Sequence, residues 1–309
     1  MIWRFLLSMF SFMIAIFIIF LLISYWIFPI GNYEFSLNPD LTQTNYNFSL
    51  TNDAASQFYK NLRYSSSDVS YKIDSECTLQ KRYDAEFAID LLNSQTDLNL
   101  YSVGGDEEIS ITCEDKIKVE ERFFVAGEGG PINITRTENF NVILKGGVLL
   151  LRDSKCERPN VALHELLHAF GFDHSSNPKN IMNSISKCNQ VMGDDLINTI
   201  NELYSVPSYP DLTFENVSAT MKGRLLDLNL SIRNNGLGDS KNSQLKIYID
   251  GKEIKEIQVE GMEIGYGISI TLENLLVKQI GVDVLTLKLD YGFEELNKDN
   301  NIINLELKK

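Results

Sequence analysis

The sequence predicts three parts: an N-terminal transmembrane helix, a mixed α/β domain of the α+β kind, and an all-β sandwich. Three observations carry this reading. Residues 5–30 contain no charge. Between about 67 and 207, helical and strand periodicities are mixed. Beyond Pro207 and Pro210 helical spacing stops, and short alternating strands follow one another between turn signals. A chain of 309 residues has room for about two domains. With 44% hydrophobic and 23% charged residues it has the composition of a folded protein. A net charge of -14 offers no basic face for nucleic acid.

The first element is an anchor, over residues 5–30. About 20 apolar residues cross a bilayer core, and the run from Phe5 to Ile30 exceeds that. It is far longer than the ~7–15 residues of a signal-peptide core, and no small-x-small cleavage site follows it. Arg4 precedes the run, and no Lys or Arg follows before Lys60, whereas Glu34 and Asp40 do. The positive-inside rule then places the N-terminus in the cytoplasm. It makes the chain a single-pass protein of the cell membrane, with the remainder extracytoplasmic. Residues 31–66, polar and without sustained periodicity, read as a stalk or linker with a short helix over Asp53–Arg63.

The domain expected at 67–207 begins with a strand over Val69–Ile73. Thr78 caps a helix to about Ser94, with Tyr83, Phe87, Ile89 and Leu92 as its apolar positions. Strands follow at Leu98–Val103, Ile109–Cys113, Arg122–Val125, Ile132–Thr135 and Val142–Leu151. Helices come next from Asn160 and over Asp194–Tyr204. In the domain expected at 210–309, alternation marks strands around Leu226–Ile232, Leu245–Ile249, Ile268–Leu272, Leu285–Leu289 and Ile303–Leu307. Asn234-Asn235-Gly236, Asp250-Gly251 and Lys298-Asp299-Asn300 mark turns. This is the pattern of a sandwich.

An extracytoplasmic location permits disulfides. Cys77, Cys113, Cys156 and Cys188 allow three connectivities. A Cys156–Cys188 bridge would staple the segment that holds all three histidines, leaving Cys77 with Cys113. Glycosylation sequons at Asn47, Asn133, Asn216 and Asn229 are weak pointers in an Asn-rich chain.

The three histidines fall within eleven residues, His164-Glu165-Leu166-Leu167-His168-Ala169-Phe170-Gly171-Phe172-Asp173-His174. His164 and His168, four apart on a helix, share one face and can reach one metal ion. Gly171 can take the left-handed conformation that ends the helix and turns the chain back. His174 then supplies a third nitrogen. Three imidazoles with an open fourth position are the donor set of a catalytic zinc site, whereas structural sites are usually closed by cysteines. Glu165, beside the first ligand, is placed to take a proton from water at the metal and pass it to a leaving amine. At this chain's residue frequencies, a chance HExxHxxGxxH is on the order of one in a million.

This motif, with Ser175 directly after it and Met182 eight residues beyond His174, resembles the metzincin clan of zinc endopeptidases, and within it the matrixin family. The resemblance implies that Met182 is the Met-turn residue under the ligands. It also implies that Gly147–Leu151 is the strand bordering the cleft and pairing with an extended substrate. The chain departs from the family in three respects. Cys77 lies in Ser-Glu-Cys-Thr-Leu, not in a cysteine-switch setting. No histidine is left for a second, structural zinc. Asn183-Ser184 follow the methionine where the family often has Tyr-Pro. In the last domain, Pro210-Asp211-Leu212, Ile232-Arg233-Asn234-Asn235-Gly236, Ile247-Tyr248-Ile249-Asp250-Gly251 and Asn297-Lys298-Asp299-Asn300-Asn301 resemble the CARDB family. Those are Ig-like adhesion-type modules of prokaryotic surface proteins. Such a domain implies a surface-protein or cell-wall partner, or a spacer. Asp290, Glu294, Glu295 and Asp299 are candidate calcium ligands, with a solvated acidic face as the plainer reading.

The expectation is a membrane-anchored zinc endopeptidase acting on polypeptides. The competing reading is a surface adhesion protein whose protease-like domain has lost activity, and an intact Glu165 argues against it.

Overall fold

The computed structural model describes residues 2–27, 31–37, 56–120, 123–153, 156–279 and 282–307. The chain begins with helix α1 (Ile2–Ile27). Its Leu7–Ser24 stretch has a mean hydropathy of 2.7 and is buried against nothing else in the chain. At 1.5 Å per residue α1 is about 39 Å long, enough to cross a membrane.

Strand β1 (Asn32–Leu37) follows directly. It does not lie in a stalk, as expected for residues 31–66, but in the sheet of the last domain. Asn32, Tyr33 and Glu34 pair with Lys222, Met221 and Thr220, and Phe35, Ser36 and Leu37 pair with Leu307, Glu306 and Leu305. Strand β2 (Leu62–Tyr64) closes the segment. Its residues are fully buried, so the helix expected over Asp53–Arg63 is instead a strand at its end. Residues 53–55 and the sequon at Asn47 lie outside the described residues.

The mixed domain is built from β3 (Asp68–Ile73), α2 (Leu79–Gln95), β4 (Asn99–Ser102), β5 (Ile109–Cys113), the hairpin β6 (Lys118–Glu120) and β7 (Phe123–Val125), β8 (Gly127–Arg136), β9 (Asn141–Leu150), α3 (Asn160–Ala169) and α4 (Asp194–Tyr204). Thr78 caps α2 by accepting a hydrogen bond from the Lys81 N–H. That helix buries Ala85, Ala88, Ile89 and Leu92, while Tyr83 faces outward at 56% exposure. The small alanines let α2 approach α3 closely. Strands β4, β3, β5 and β9 run parallel in that order, β2 lies parallel to the start of β9, and β8 is antiparallel on the other side of β9. Leu100, Ile109, Ile111, Val148 and Leu150 of this sheet pack with Leu163, Leu166 and Leu167 of α3 in one core.

The last domain adds β10 (Leu212–Lys222), β11 (Leu225–Asn234), β12 (Ser243–Ile249), β13 (Lys252–Val259), β14 (Gly267–Leu276), β15 (Val284–Asp290) and β16 (Ile302–Leu307). With β1 they form one antiparallel path, β13-β12-β15-β16-β1-β10-β11-β14, whose inner residues close on a single apolar core. Strand β1 joins the two halves of that path, and Phe35, 8% exposed, belongs to the core. Asp250 and Gly251, both at positive φ, make the tight turn between β12 and β13. The two domains share a small core of Phe140 and Val142 with Val206, Leu237 and Ile264. The Arg233 guanidinium donates to the Arg136 carbonyl at 2.9 Å, and the Ser208 hydroxyl to the Ser65 carbonyl at 2.6 Å.

Candidate metal centre and cleft

Helix α3 carries His164, Glu165 and His168, all buried. It ends at Phe170, and Gly171 follows at φ +91°. A Cβ there would lie 2.5 Å from Leu62 Cδ2, so a side chain at this turn is excluded by conformation and by space. The turn brings His174 back beneath the helix. His168 Nε2 lies 3.0 Å from His164 Nε2 and 3.2 Å from His174 Nε2. Tetrahedral coordination with bonds of 2.0–2.1 Å sets ligand nitrogens about 3.3 Å apart. Among the described residues, this is the one group of three or more His, Cys, Asp or Glu side chains whose ligand atoms converge.

Tautomers identify what the convergence is for. His164 Nδ1 is 2.7 Å from the Ile181 carbonyl, and His168 Nδ1 is 2.6 Å from the Phe172 carbonyl. A carbonyl accepts, so each Nδ1 carries the proton and each Nε2 presents a lone pair. Lone pairs facing one another at this distance repel unless a cation lies between them. Burial opposes a proton in that place, holding His164 down at about 4 and lowering His168 as well. The donor set therefore fits a zinc-sized divalent ion.

Met182 is fully buried, one residue from the Ile181 carbonyl that fixes His164. Its carbonyl accepts from the Ser175 N–H at 2.8 Å, and Asn183 Nδ2 donates to the Ser175 carbonyl at 3.0 Å. The methionine loop is thereby tied to the residue after the third histidine. Disulfides join Cys77 to Cys113 and Cys156 to Cys188, the latter spanning the helix, the turn and the methionine loop.

Glu165 lies against β8. A Cβ on Gly129 would be 2.1 Å from the Glu165 carbonyl oxygen, and one on Gly127 would be 2.6 Å from its Cγ. Only a strand without side chains at these two positions can approach α3 so closely. Burial, with the Glu128 carboxylate nearby, pushes Glu165 up to about 8. A cation held by the three histidines would favour the ionised carboxylate, the form a general base must present. The cleft over the histidines is lined by Phe124, Gly127–Gly129 and Arg152 on one side and by Val161, Ser184, Ile185 and Lys187 on the other. Among the described residues β8 pairs only with β9, so its outer edge is free along the cleft. Strand β9, which holds Gly147–Leu150, is interior, bonded to both β5 and β8. The expectation that it borders the cleft is corrected: the edge belongs to β8, whose Pro131 suits an edge strand.

Sequence reasoning missed two contributors. One is the Gly127-Glu128-Gly129-Gly130 run, whose glycines are the signal that a helix lies close. The other is the segment before β2. Its Phe58 ring stacks on His168 at 5.7 Å, and its backbone is bonded to the turn through Phe58 N–H to Gly171 and Asp173 N–H to Ser56. Nothing in the local sequence marks that contact.

The four candidate calcium ligands do not converge. Asp290 pairs with Lys246, and Glu294 with Lys298. Glu295 is buried, accepting from the Leu212 N–H and from Asn301 Nδ2. Asp299 sits in a short 3-10 turn. Lysine amines neutralise the exposed pair, and backbone and amide donors satisfy Glu295.

No curated protein matches the chain significantly. Among solved structures, a CARDB domain of a Pyrococcus furiosus protein, described as in complex with di-metal ions, is 21% identical over 32% of this chain and 87% of that one, with a TM-score of 0.27. The Matrixin family model matches residues 66–205 and the CARDB model residues 209–304. The mixed domain is thus similar to the Matrixin family and the sandwich to the CARDB family.

Proposed function

We propose that the protein is a zinc endopeptidase anchored in the cell membrane by α1, with its catalytic domain outside and polypeptides as substrates. The observation that carries the reading is the convergence of three imidazole Nε2 atoms beside a buried carboxylate in an open cleft. His164, His168 and His174 would hold the ion. When bound, zinc supplies Lewis acidity toward a carbonyl oxygen and toward water. An extended substrate would add to the free edge of β8, main chain to main chain, as peptides add to exposed sheet edges. That seats a peptide carbonyl over the histidines. Glu165 takes the proton from the attacking water at its carboxylate oxygen and gives it to the leaving amine nitrogen. The low-dielectric wall made by β8 strengthens each of these interactions.

The test is Glu165→Gln in the soluble ectodomain, residues 31–309, which keeps β1. Glutamine preserves size and removes basicity. Metal content by mass spectrometry is expected to stay at one zinc per chain, while hydrolysis of casein peptides falls by about 10²–10⁴. Cleavage at the parental rate would sink the mechanism. A surface-binding protein with an inert metal site would show no hydrolysis in either form.

A further inference from the structure

The order of the domains in space differs from their order in sequence. At one end of the sandwich, the Gly223 N–H donates to the Gly31 carbonyl at 3.2 Å, and β1 enters beside Lys222. Only residues 28–30 separate Gly31 from the end of α1, so that helix ends within about 18 Å of this end. At the other end, Leu237 and Ile264 pack on Phe140 and Val142 of the catalytic domain. Strands β10 and β11 run between the two ends, paired from Lys222↔Leu225 to Leu212↔Asn234. At the usual rise that is roughly 33 Å. The cleft is set apart from this contact along β8. Strand β8 meets the sandwich at Thr135 and Arg136, next to Gly265 and Arg233, but meets Glu165 at Gly127 and Gly129. The intervening strand measures roughly 20–30 Å.

From this arrangement we infer that the C-terminal sandwich is the membrane-proximal unit, a pedestal that grips the anchor through β1. We infer further that the cleft reaches peptide bonds well above the bilayer and not those adjoining it. The inference rests on the peptidase and anchor reading given above. It deepens that reading by setting the height at which a bond can be cut. The grip follows from β1 itself. Its six residues bond to β10 on one side and β16 on the other, and Phe35 fills the core between the sheets. Strand and sandwich would stay together even if the chain were cut between β1 and β2.

The experiment uses the full chain in liposomes. A casein peptide that the enzyme cleaves in solution is attached to a lipid anchor through polyproline spacers of increasing length, about 3.1 Å per residue. Cleavage is expected to rise at least tenfold as the spacer passes the height of the pedestal, roughly 33 Å, while the untethered peptide is cleaved throughout. Equal rates at every height would overturn the inference although the peptidase reading stood. Failure to cleave even the untethered peptide would remove the peptidase reading, and the inference with it. A second arm inserts a site-specific protease sequence after residue 45 and cuts there. Most of the catalytic domain is expected to remain on the liposomes after the cut, and prompt release of the cut parent would overturn the grip.

Discussion

The histidine cluster of the mixed domain and a pair of buried carboxylates in the sandwich are built on opposite principles. In the mixed domain His164 and His168 spend their Nδ1–H groups on backbone carbonyls and turn bare Nε2 lone pairs toward each other and toward His174. In the sandwich, Asp211 and Glu295 are nearly inaccessible, yet each is met by donors. Asn300 Nδ2 lies 2.8 Å from Asp211, and the Leu212 N–H lies 3.1 Å from Glu295, with Asn301 Nδ2 beside it. The first cluster sets ring nitrogens against one another and opens onto a cleft. The second is closed by its own amides and sits where the chain enters β10. Burial alone therefore does not mark a binding site, and the direction of donors and acceptors does.

The largest effect expected from breaking this contrast is at His168. Its ring touches both other ligands and the Phe58 ring. His168→Ala should take zinc from one per chain to none and abolish hydrolysis, an effect larger than that of Glu165→Gln, which leaves the ion in place. Inductively coupled plasma mass spectrometry with a peptide assay reads both. Zinc retained at full stoichiometry in the alanine variant would mean that the three imidazoles are not the site.

The next effect is on stability. The Cys156–Cys188 bridge closes a loop with a sequence separation of 32 around α3 and the methionine loop. The chain-entropy model assigns such a loop roughly 3–4 kcal/mol. Replacing both cysteines by serine should lower the melting temperature of the catalytic domain and weaken zinc retention, while the sandwich melts as before. A single cooperative transition shifting as a whole would show instead that the shared core of Phe140, Val142, Leu237 and Ile264 couples the domains.

How much of this was legible in the sequence depends on the range of the interactions. The histidine site is local: helix spacing and one glycine turn bring eleven residues to one point, so residue order alone reveals it. The sandwich strands are legible because their inner residues alternate with period two. Strand β1 is not, because Asn-Tyr-Glu-Phe-Ser-Leu alternates like any short strand while its partners lie beyond position 219. The first half of strand β8, before Ile132, is hidden for a different reason. Glycine and proline lower its strand propensity, yet a strand beside α3 needs glycine at 127 and 129. In α2 the aromatic residues Tyr83 and Phe87 suggest a core face, but close packing favours the alanines. The acidic run near 290–299 carries charge without convergence, which sequence spacing does not reveal.

The smallest effect, and the sharpest discriminator between the two clusters, is the pH dependence of the sandwich. Burial pushes Glu295 up to about 7 and Asp211 up to about 6, each above its unfolded value. The folded state therefore holds these protons to higher pH than the unfolded chain does. Below about pH 4 both states are protonated and the associated stability is fully present. As pH rises through 6 and 7 it is lost, so the sandwich should be less stable at pH 8 than at pH 5, by one to a few kcal/mol. Glu295→Gln should flatten that slope. The glutamine oxygen can still accept from Leu212, and Asn301, whose Oδ1 has no partner, can turn its amide to accept from the new Nε2. The variant should thus match the parent at pH 5 and exceed it at pH 8, read by urea unfolding followed on the sandwich. A cation site would reverse every sign. Stability would rise with pH and with added calcium, because ionised carboxylates are then the ligands, and Glu295→Gln would abolish the gain. The sandwich carboxylates are closed by their own amides if the sandwich loses stability on ionisation and ignores calcium, and they form a cation site if it tightens.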